Sequence, residues 1–282
     1  MKLLHKALPL VLLGLSATQA WAQANTNPLQ NCTPTQVRAT ERYWFAGNKI
    51  AMDFGVSGTA LPTITANPAT IPFVDEGTTV VTDSNGTLQF WVGQGNIYNR
   101  DQVVMSNGNG IVGNQSAVQV VVAFAAPNVP GKYFVVSTSG LAAGQAGTLL
   151  YSVVDMTANG GLGTVTSKNT TVPGGISSNE TLSAVPNHDG TGYWVLTTSY
   201  GTKNLVAQQF DSNGPIGAPV ISALSEDVGN LFGSIYFSKD LTQFAVATSV
   251  QGSNASNVIR TMRFNAQTGQ ATEIASWRGG AL

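Results

Sequence analysis

From about residue 42 onward, short apolar runs alternate with tight polar turns along the whole chain. The runs are rich in Val, Ile, Thr, Tyr and Phe, and they end at clusters of Asp, Asn, Ser and Gly. This pattern is typical of β-strands joined by hairpins. Helix-period patterns of useful length are absent from the same region. The pattern therefore predicts an all-β fold.

A repeated unit lies behind this alternation: a strand, a tight turn, a second strand, a third strand, a glycine turn and a fourth strand. It returns three times after about residue 117 and is less complete before it. A spacing of roughly 45 to 60 residues predicts the four-stranded antiparallel blades of a β-propeller, with loop insertions. The first turns of the units are Asp83–Gly86, Pro127–Gly131, Asn187–Gly190 and Ser238–Asp240.

Four clear units and an incomplete one at 42–72 predict about five blades, with the ring complete or incomplete. Closure could come from Tyr43–Phe45 pairing with the last unit or from a partner chain, and a truncated chain would stay open. A β-sandwich is the competing fold, but at this length it would normally form two domains, and no linker marks the midpoint. The predicted strands are 42–45 and 49–54; 78–82, 87–92, 96–98 and 102–105; 117–122, 133–137, 149–156 and 163–167; 181–185, 192–198, 205–210 and 218–221; 234–237, 243–249, 258–264 and 271–275.

The first residues, 1–22, have the features of an export signal. Lys2 and Lys6 precede an apolar stretch, and a small-x-small cleavage site ends at Ala22, with a rival cut after Ala24. Residues 23–41 are predicted to be a flexible lead-in, and 42–282 the propeller domain. No later segment is long and apolar enough to span a membrane. We therefore expect an exported protein located in the periplasm, at the cell surface or outside the cell.

Charge, cysteine and histidine usage exclude several classes of function. Loss of the two signal lysines leaves 11 of the 13 basic residues against 14 acidic ones, scattered along the chain. This distribution lacks the basic stripe that nucleic acids require. Cys32 is the single cysteine, so an internal disulfide cannot form. His188 is the single histidine after the signal, which excludes a zinc site of the usual ligands within one molecule.

Residues with catalytic potential are better explained by turns and solvated surfaces. His188 and Asp189 lie in a hairpin turn, and sequence neighbours do not orient each other towards a nucleophile such as Ser183 or Ser199. Adjacent acids on a strand point to opposite faces, so neither acidic pair is itself a glycosidase dyad, although a pair could form between blades. We assign no catalytic, cofactor-binding or metal-binding residue. The acidic pairs are Asp75–Glu76 and Glu226–Asp227, and the turns that resemble calcium loops without a downstream Glu are Asp83–Gly86 and Asp211–Gly214.

Several aromatic residues could line a ligand-binding face if they reach one side of the ring. Packing between blades is the competing interpretation, because Trp and Tyr bury a large apolar area whenever they can. The candidates for a ligand-binding face are Trp91, Tyr98, Trp194 and Tyr200, with Trp277 as a further aromatic of the same kind.

Several segments of the sequence carry a resemblance to a known family of proteins. They are Tyr43–Asn48 with Met52–Phe54, Thr82–Phe90, Ile97–Arg100, Tyr151–Gly163, and Thr181–Val185 with Tyr193–Val195. Together they resemble a family of exported bacterial β-propellers of Bacteroidetes type, related to gliding and surface proteins. The resemblance implies a secreted or surface-displayed propeller associated with adhesion, and it transfers no catalytic residue. The relatives tend to continue into further blades, immunoglobulin-like modules and a sorting domain, whereas this sequence stops at Leu282. Its turn at Phe45–Asn48 also carries an additional residue.

Two functions from different classes are consistent with these observations. The first is a non-enzymatic binding module whose partner is a protein or a glycan at the cell surface, with no cofactor and no nucleic acid. The second is a polysaccharide-active propeller enzyme in which carboxylates from neighbouring blades act as acid and base. A truncated reading frame without an independent role is a third possibility. The scarcity of histidine favours the binding module.

Overall fold

The structure is a computed structural model that describes residues 42–46, 49–55, 61–66, 77–113, 119–139, 146–226, 232–249 and 257–279. Within these ranges the secondary structure consists of strands and one 3-10 turn, Asn159–Gly161. The predicted all-β fold is confirmed. Among the same residues, no helix is long and apolar enough to cross a membrane. The predicted signal at 1–22 and lead-in at 23–41 lie outside the described ranges.

The strands form sheets in which chain neighbours pair antiparallel, as the repeat predicts. We number the sheets in chain order. Sheet 1 contains β1 (Tyr43–Ala46), β2 (Ile50–Asp53) and β3 (Thr63–Ala66). Sheet 2 contains β4 (Thr79–Thr82), β5 (Leu88–Gly93), β6 (Asn96–Asn99) and β7 (Val104–Asn109).

Sheet 3 contains β8 (Val121–Ala125), β9 (Lys132–Thr138), β10 (Gly147–Asp155) and β11 (Thr164–Thr171), and β12 (Ser177–Ser178) pairs with β10. Sheet 4 contains β13 (Ser183–Pro186), β14 (Tyr193–Thr198), β15 (Asn204–Asp211) and β16 (Gly214–Ala223). Sheet 5 contains β17 (Phe232–Phe237), β18 (Gln243–Ser249), β19 (Val258–Phe264) and β20 (Ala271–Arg278). One parallel bridge between Ser106 and Thr164 links the outer strands of sheets 2 and 3.

Successive sheets stack face to face through apolar cores, because alternate residues of each strand point to opposite faces. In β14 and β15 most residues on both faces are buried, since sheet 4 lies between sheets 3 and 5. The four cores are represented by Phe45, Trp91 and Tyr98 between sheets 1 and 2; Phe90, Ile97 and Val135 between sheets 2 and 3; Phe134, Val195 and Phe210 between sheets 3 and 4; and Leu196, Ile235 and Phe244 between sheets 4 and 5.

The first strands of the sheets surround a common axis. β1 contacts β4, β4 contacts β8, and β8 contacts β13. Residues of β4, β8, β13 and β17 also line one shared cavity. First strands that gather at an axis, with later strands further out, define a β-propeller. The predicted architecture of four-stranded antiparallel blades is therefore confirmed.

The structure corrects several predicted elements. Thr63–Ala66 forms β3, which is absent from the predicted strands because the flanking Pro62 and Pro68 concealed the short Thr-Ile-Thr alternation. β16 begins at Gly214 and not at residue 218, because the turn before it leads straight into the strand. Pairing of Tyr43–Phe45 with the last unit, one of the possible ways to close the ring, is not seen among the described residues, where β1 pairs with β2.

Candidate functional site

The axial cavity is the space enclosed by the first strands of sheets 2 to 5. It has a volume of about 810 Å³ and is open to solvent. The second strands of sheets 3 and 4 contribute Tyr133 and Tyr193 to its lining. A cavity of this size, with mixed apolar and polar walls, is large enough for a small organic ligand.

Aromatic rings form part of the wall of the axial cavity. The ring of Tyr193 stacks on Phe124 with centroids 4.6 Å apart, and Tyr133 contacts Phe90 edge to face at 5.3 Å. Burial raises the pKa of both tyrosine hydroxyls, and the charge of Asp83 raises that of Tyr133 further. Both phenols therefore stay neutral near pH 7 and remain able to donate a hydrogen bond.

Asp83 places a carboxylate at the end of β4, where the first hairpin turn of sheet 2 begins. Its Oδ1 accepts hydrogen bonds from the backbone N–H groups of Asn85 and Thr87, both at 2.9 Å. Its Oδ2 accepts a longer bond, 3.3 Å, from Nε2 of Gln89. The turn therefore fixes the carboxylate in position. Hydroxyl groups in the same lining come from Thr78, Thr79, Thr82, Ser84 and Ser183.

Gln119 lies in the wall of the axial cavity and pairs with the inner strand β17. The backbone N–H of Ile235 donates to Gln119 Oε1 at 2.8 Å, and Gln119 Nε2 donates to the Ile235 carbonyl at 3.4 Å. The side-chain amide thus imitates the next residue of a β-ladder. This contact ties the last sheet to the third and satisfies backbone groups that face the axial cavity.

A second cleft lies between sheets 1 and 2 and has a volume of about 510 Å³. Asp53 and Asp101 both line it, together with Tyr43. Arg42 binds Asp53 with two hydrogen bonds, Nε to Oδ1 at 2.6 Å and Nη2 to Oδ2 at 2.7 Å. This pairing, with a further bond from the Gly55 N–H, holds the pKa of Asp53 below its ordinary value. The cleft therefore contains one firmly ionised carboxylate and a second carboxylate on the neighbouring sheet.

The candidate ligand-face aromatics are mostly inside the molecule. Trp91 is 0% exposed and stacks between Phe45 and Tyr98, with ring centroids 4.5 and 4.4 Å apart. Tyr98 and Trp194 are also buried, and the Trp194 Nε1 donates to the Ala266 carbonyl at 2.7 Å. None of these three lines the axial cavity. Their burial fits the packing interpretation.

The remaining aromatic candidates lie nearer to the surface. Tyr200 is half-buried in the turn between β14 and β15, where its backbone N–H donates to the Ser177 carbonyl. Its place on a ligand-binding face stays a prediction. Trp277 is 55% exposed on β20, the outer strand of sheet 5.

The turn interpretations are confirmed for the acidic loops and for His188. His188 is exposed in the turn between β13 and β14, and the Asp189 Oδ1 accepts from the N–H and hydroxyl of Thr191. Asp211 uses its carboxylate on the N–H groups of Asn213 and Gly214, as Asp83 does in its own turn. In the described part of the chain, no three acidic, cysteine or histidine residues form a metal-binding group.

The acidic pairs can be followed only in part. Glu226 forms an ion pair with Arg278 of β20. Asp227 and the pair Asp75–Glu76 lie outside the described residues.

The sequence pattern did not identify Tyr133, Tyr193 or Gln119 as site residues, and it explained Asp83 by turn chemistry in preference to a calcium loop. A signal was present for the tyrosines, because each follows the first turn of its unit and lies within the first two residues of the second strand. Each pairs with the last residue of the first strand of its sheet, Tyr133 with Ala125 and Tyr193 with Pro186, so the two rings lie at the same level of neighbouring blades. Gln119 carries no such signal, since its contact joins residues that are 116 apart in sequence.

The sequence matches no protein-family model and no curated protein. Solved structures similar to it include hydrazine synthase of Kuenenia stuttgartiensis, with 10% identity, a TM-score of 0.45 and coverage of 83% of this chain and 63% of that chain. An endo-arabinase from Bacteroides thetaiotaomicron has 12% identity, a TM-score of 0.42 and coverage of 70% and 78%. An alpha-L-arabinofuranosidase from Clostridium thermocellum has 10% identity, a TM-score of 0.38 and coverage of 65% and 60%.

Proposed function

We propose that this protein is an exported β-propeller that binds a glycan in its axial cavity. The observation that carries the proposal is the lining of that cavity, where the rings of Tyr133 and Tyr193, the fixed carboxylate of Asp83 and several hydroxyl groups share one space of about 810 Å³. A sugar offers the matching chemistry, since it has an apolar face for ring contact and hydroxyl groups that donate to a carboxylate.

The neutral state of both tyrosines supports this choice of ligand. A phenol can donate to one sugar oxygen and accept from another sugar hydroxyl, whereas the Asp83 carboxylate only accepts. Hydrogen bonds to an ionised carboxylate are stronger than those between neutral groups. Asp83 therefore orients the ligand, and the aromatic wall supplies contact area.

The test compares two identical turns. The mature protein is screened on a glycan array, and the affinity for the best glycan is measured by calorimetry for Asp83→Asn and Asp211→Asn. Asparagine keeps the acceptor that both turns use and removes the charge. We expect Asp83→Asn to weaken binding about 10- to 100-fold, in line with the loss of a charge-assisted hydrogen bond. Asp211→Asn, whose Asp-Ser-Asn-Gly turn lies between β15 and β16, is the control and leaves affinity unchanged.

Equal affinities of the two variants would contradict the assignment of the axial cavity. The absence of any glycan ligand on the array would contradict the proposed function itself.

Export is tested separately by measuring the intact mass of the protein from the culture medium or periplasm. We expect a mass that corresponds to a mature chain beginning at Gln23 or Asn25. A mass that includes residues 1–22 would contradict export by this signal. A role in adhesion at the cell surface, as in the gliding-type proteins that the sequence resembles, is part of the same proposal.

A second candidate function is polysaccharide hydrolysis in the cleft between sheets 1 and 2. The specific observation in its favour is that Asp53 and Asp101, from neighbouring blades, line one cleft. The lowered pKa of Asp53, caused by Arg42, suits an ionised base or nucleophile, and Asp101 supplies the second carboxyl group that such a reaction needs. Release of reducing sugar from a polysaccharide panel, abolished by both Asp53→Asn and Asp101→Asn, would establish this activity. No release by the wild type would remove it.

A further inference from the structure

Sheet 5 has an apolar face that the other described sheets leave uncovered. Tyr236, Ile259 and Trp277 are 66%, 52% and 55% exposed on this face. At the four contacts between successive sheets, faces of this kind are buried against the neighbouring sheet. An exposed apolar patch of this kind marks an interaction surface.

Large and small side chains are arranged on this face in two rows that run across the strands. The strand register places Ser234, Ala247, Ile259 and Trp277 side by side in the first row, from β17 to β20. It places Tyr236, Ala245, Thr261 and Ala275 side by side in the second row, in the same strand order. In the first row the large residues are therefore Ile259 and Trp277, on the outer strands β19 and β20. In the second row the large residue is Tyr236, on the inner strand β17.

We propose that this face binds the same face of a second copy of the chain, about a two-fold axis parallel to the strands and between β18 and β19. Such an axis exchanges inner and outer strands but keeps the rows aligned. Trp277 then faces Ser234 of the second copy, and Ile259 faces Ala247. Tyr236 faces Ala275 in the other row. Every large side chain meets a small one, which is the condition for two sheets to interdigitate.

A groove already exists where the second copy's tryptophan would enter. A cavity of about 560 Å³ lies on this face, lined by Gly233, Ser234, Ala247, Ile259 and Trp277. The inner side of this cavity is formed by small residues, Gly233, Ser234 and Ala247, whereas the large side chain of Trp277 lies on the outer side. The two-fold axis places Trp277 of each copy over the small residues on the inner side of the cavity in the other copy.

The end of the face is polar in a complementary way. Gln243 and Arg263 are register neighbours and both are exposed. Under the proposed axis, Gln243 of one copy faces Arg263 of the other, so the amide oxygen can accept from the guanidinium group. A polar rim around an apolar centre is the usual composition of a specific interface.

The available area predicts a reversible dimer. Four strands spaced about 4.8 Å apart and about seven residues long span roughly 19 by 23 Å. Two such faces, with their side-chain relief, bury on the order of 1,000 Å² of accessible surface, which is at the lower end for specific interfaces. The dimer should therefore form and dissociate with concentration.

The test is a swap of large and small residues, followed by sedimentation velocity under reducing conditions so that Cys32 cannot link the copies. We expect a concentration-dependent dimer for the wild type. Trp277→Ser removes the large side chain that enters the cavity of the second copy, and Ser234→Trp fills that cavity. Each variant should weaken dimerisation at least about 10-fold. The double variant places a tryptophan opposite a serine again, so it should dimerise within about 3-fold of the wild type. Thermal unfolding of each variant checks that the fold is retained.

Three outcomes would overturn the proposal: a wild type that stays monomeric at all concentrations, a double variant weaker than both single variants, or dimerisation lost on Trp44→Ser. The last variant alters the exposed face of sheet 1, which lies at the other end of the stack, and Trp44 is 56% exposed there. The affinity for glycan is not involved in any of these measurements, so the dimer and the axial site are tested independently.

Discussion

Two identical tetrapeptides show how position decides the use of a residue. Asp83 and Asp211 both begin an Asp-Ser-Asn-Gly turn, and both accept hydrogen bonds from the backbone of that turn. Asp83 lies between the first and second strands of its sheet and therefore at the axial cavity. Asp211 lies between the third and fourth strands and is not part of that lining. The turn chemistry is local, whereas access to a ligand depends on where the strand lies in the blade.

Asp53 should make the stability of the fold dependent on acid. Its pKa is lowered in the folded protein by the Arg42 hydrogen bonds, so its contribution is present above the ordinary Asp pKa of about 4 and is lost as pH falls through the lower folded value. We expect Asp53→Asn to lower the melting temperature near pH 7 and to converge with the wild type on acidification. Arg42→Gln, which removes the same interaction, is the matching comparison. A difference between wild type and Asp53→Asn that stays constant from pH 7 to strongly acidic pH would contradict this.

Gly269 combines two demands that only glycine meets. Its φ is +73°, and an added Cβ would lie 2.6 Å from the Trp194 ring. Gly217 has a similar φ of +66° but open space around its Cα. We expect Gly269→Ala to lower the free energy of unfolding by roughly 2 to 4 kcal/mol, from backbone strain plus overpacking, and Gly217→Ala by about 1 to 2 kcal/mol, from strain alone. Urea unfolding measures both, and equal losses would show that Trp194 does not pack there.

At the level of elements, the inner edge of β17 depends on a side chain from another sheet. Gln119→Leu should leave the backbone N–H and carbonyl of Ile235 without the amide that pairs with them. We expect a loss of about 1 to 3 kcal/mol in unfolding free energy and faster hydrogen exchange at the Ile235 amide. Gln267→Leu, at an exposed turn position of the same sheet, is the control. Unchanged exchange at Ile235 would contradict the contact.

The strands and their hairpins were largely predictable, because their signals are local. Turn residues such as Asn85-Gly86 fix a hairpin within a few positions, and β18 and β19 were predicted with their observed bounds. β3 was missed because the prolines near it are typical of a loop. Register between sheets, the Gln119 contact and the stacking of Trp91 on Phe45 join distant parts of the chain, so no short pattern predicts them.

The candidate site was less predictable than the fold, for a reason that also lies in the packing. The largest aromatics were the natural candidates, but a tryptophan gains most from complete burial between sheets, and Trp91 and Trp194 are buried there. The rings at the axial cavity are tyrosines at the start of second strands. Their exposure depends on how closely the first strands approach the axis, which follows from the stacking of whole sheets.

At the scale of the whole molecule, the stack of described sheets has an exposed apolar face at each end. Sheet 1 presents Trp44 and Ile64 at one end, and sheet 5 presents its Tyr236, Ile259 and Trp277 face at the other. The axial cavity lies between them and is built from four different sheets. Ligand binding should therefore stabilise the stack as a unit, since a ligand that binds only the folded state raises its stability by mass action.

The most direct test is a crystal structure of the mature protein with the glycan selected on the array. We predict electron density for the ligand in the axial cavity, in contact with Asp83, Tyr133 and Tyr193, with β4, β8, β13 and β17 around it. Two face-to-face layers of strands without a shared axis, or a glycan bound outside that cavity, would contradict the central claim.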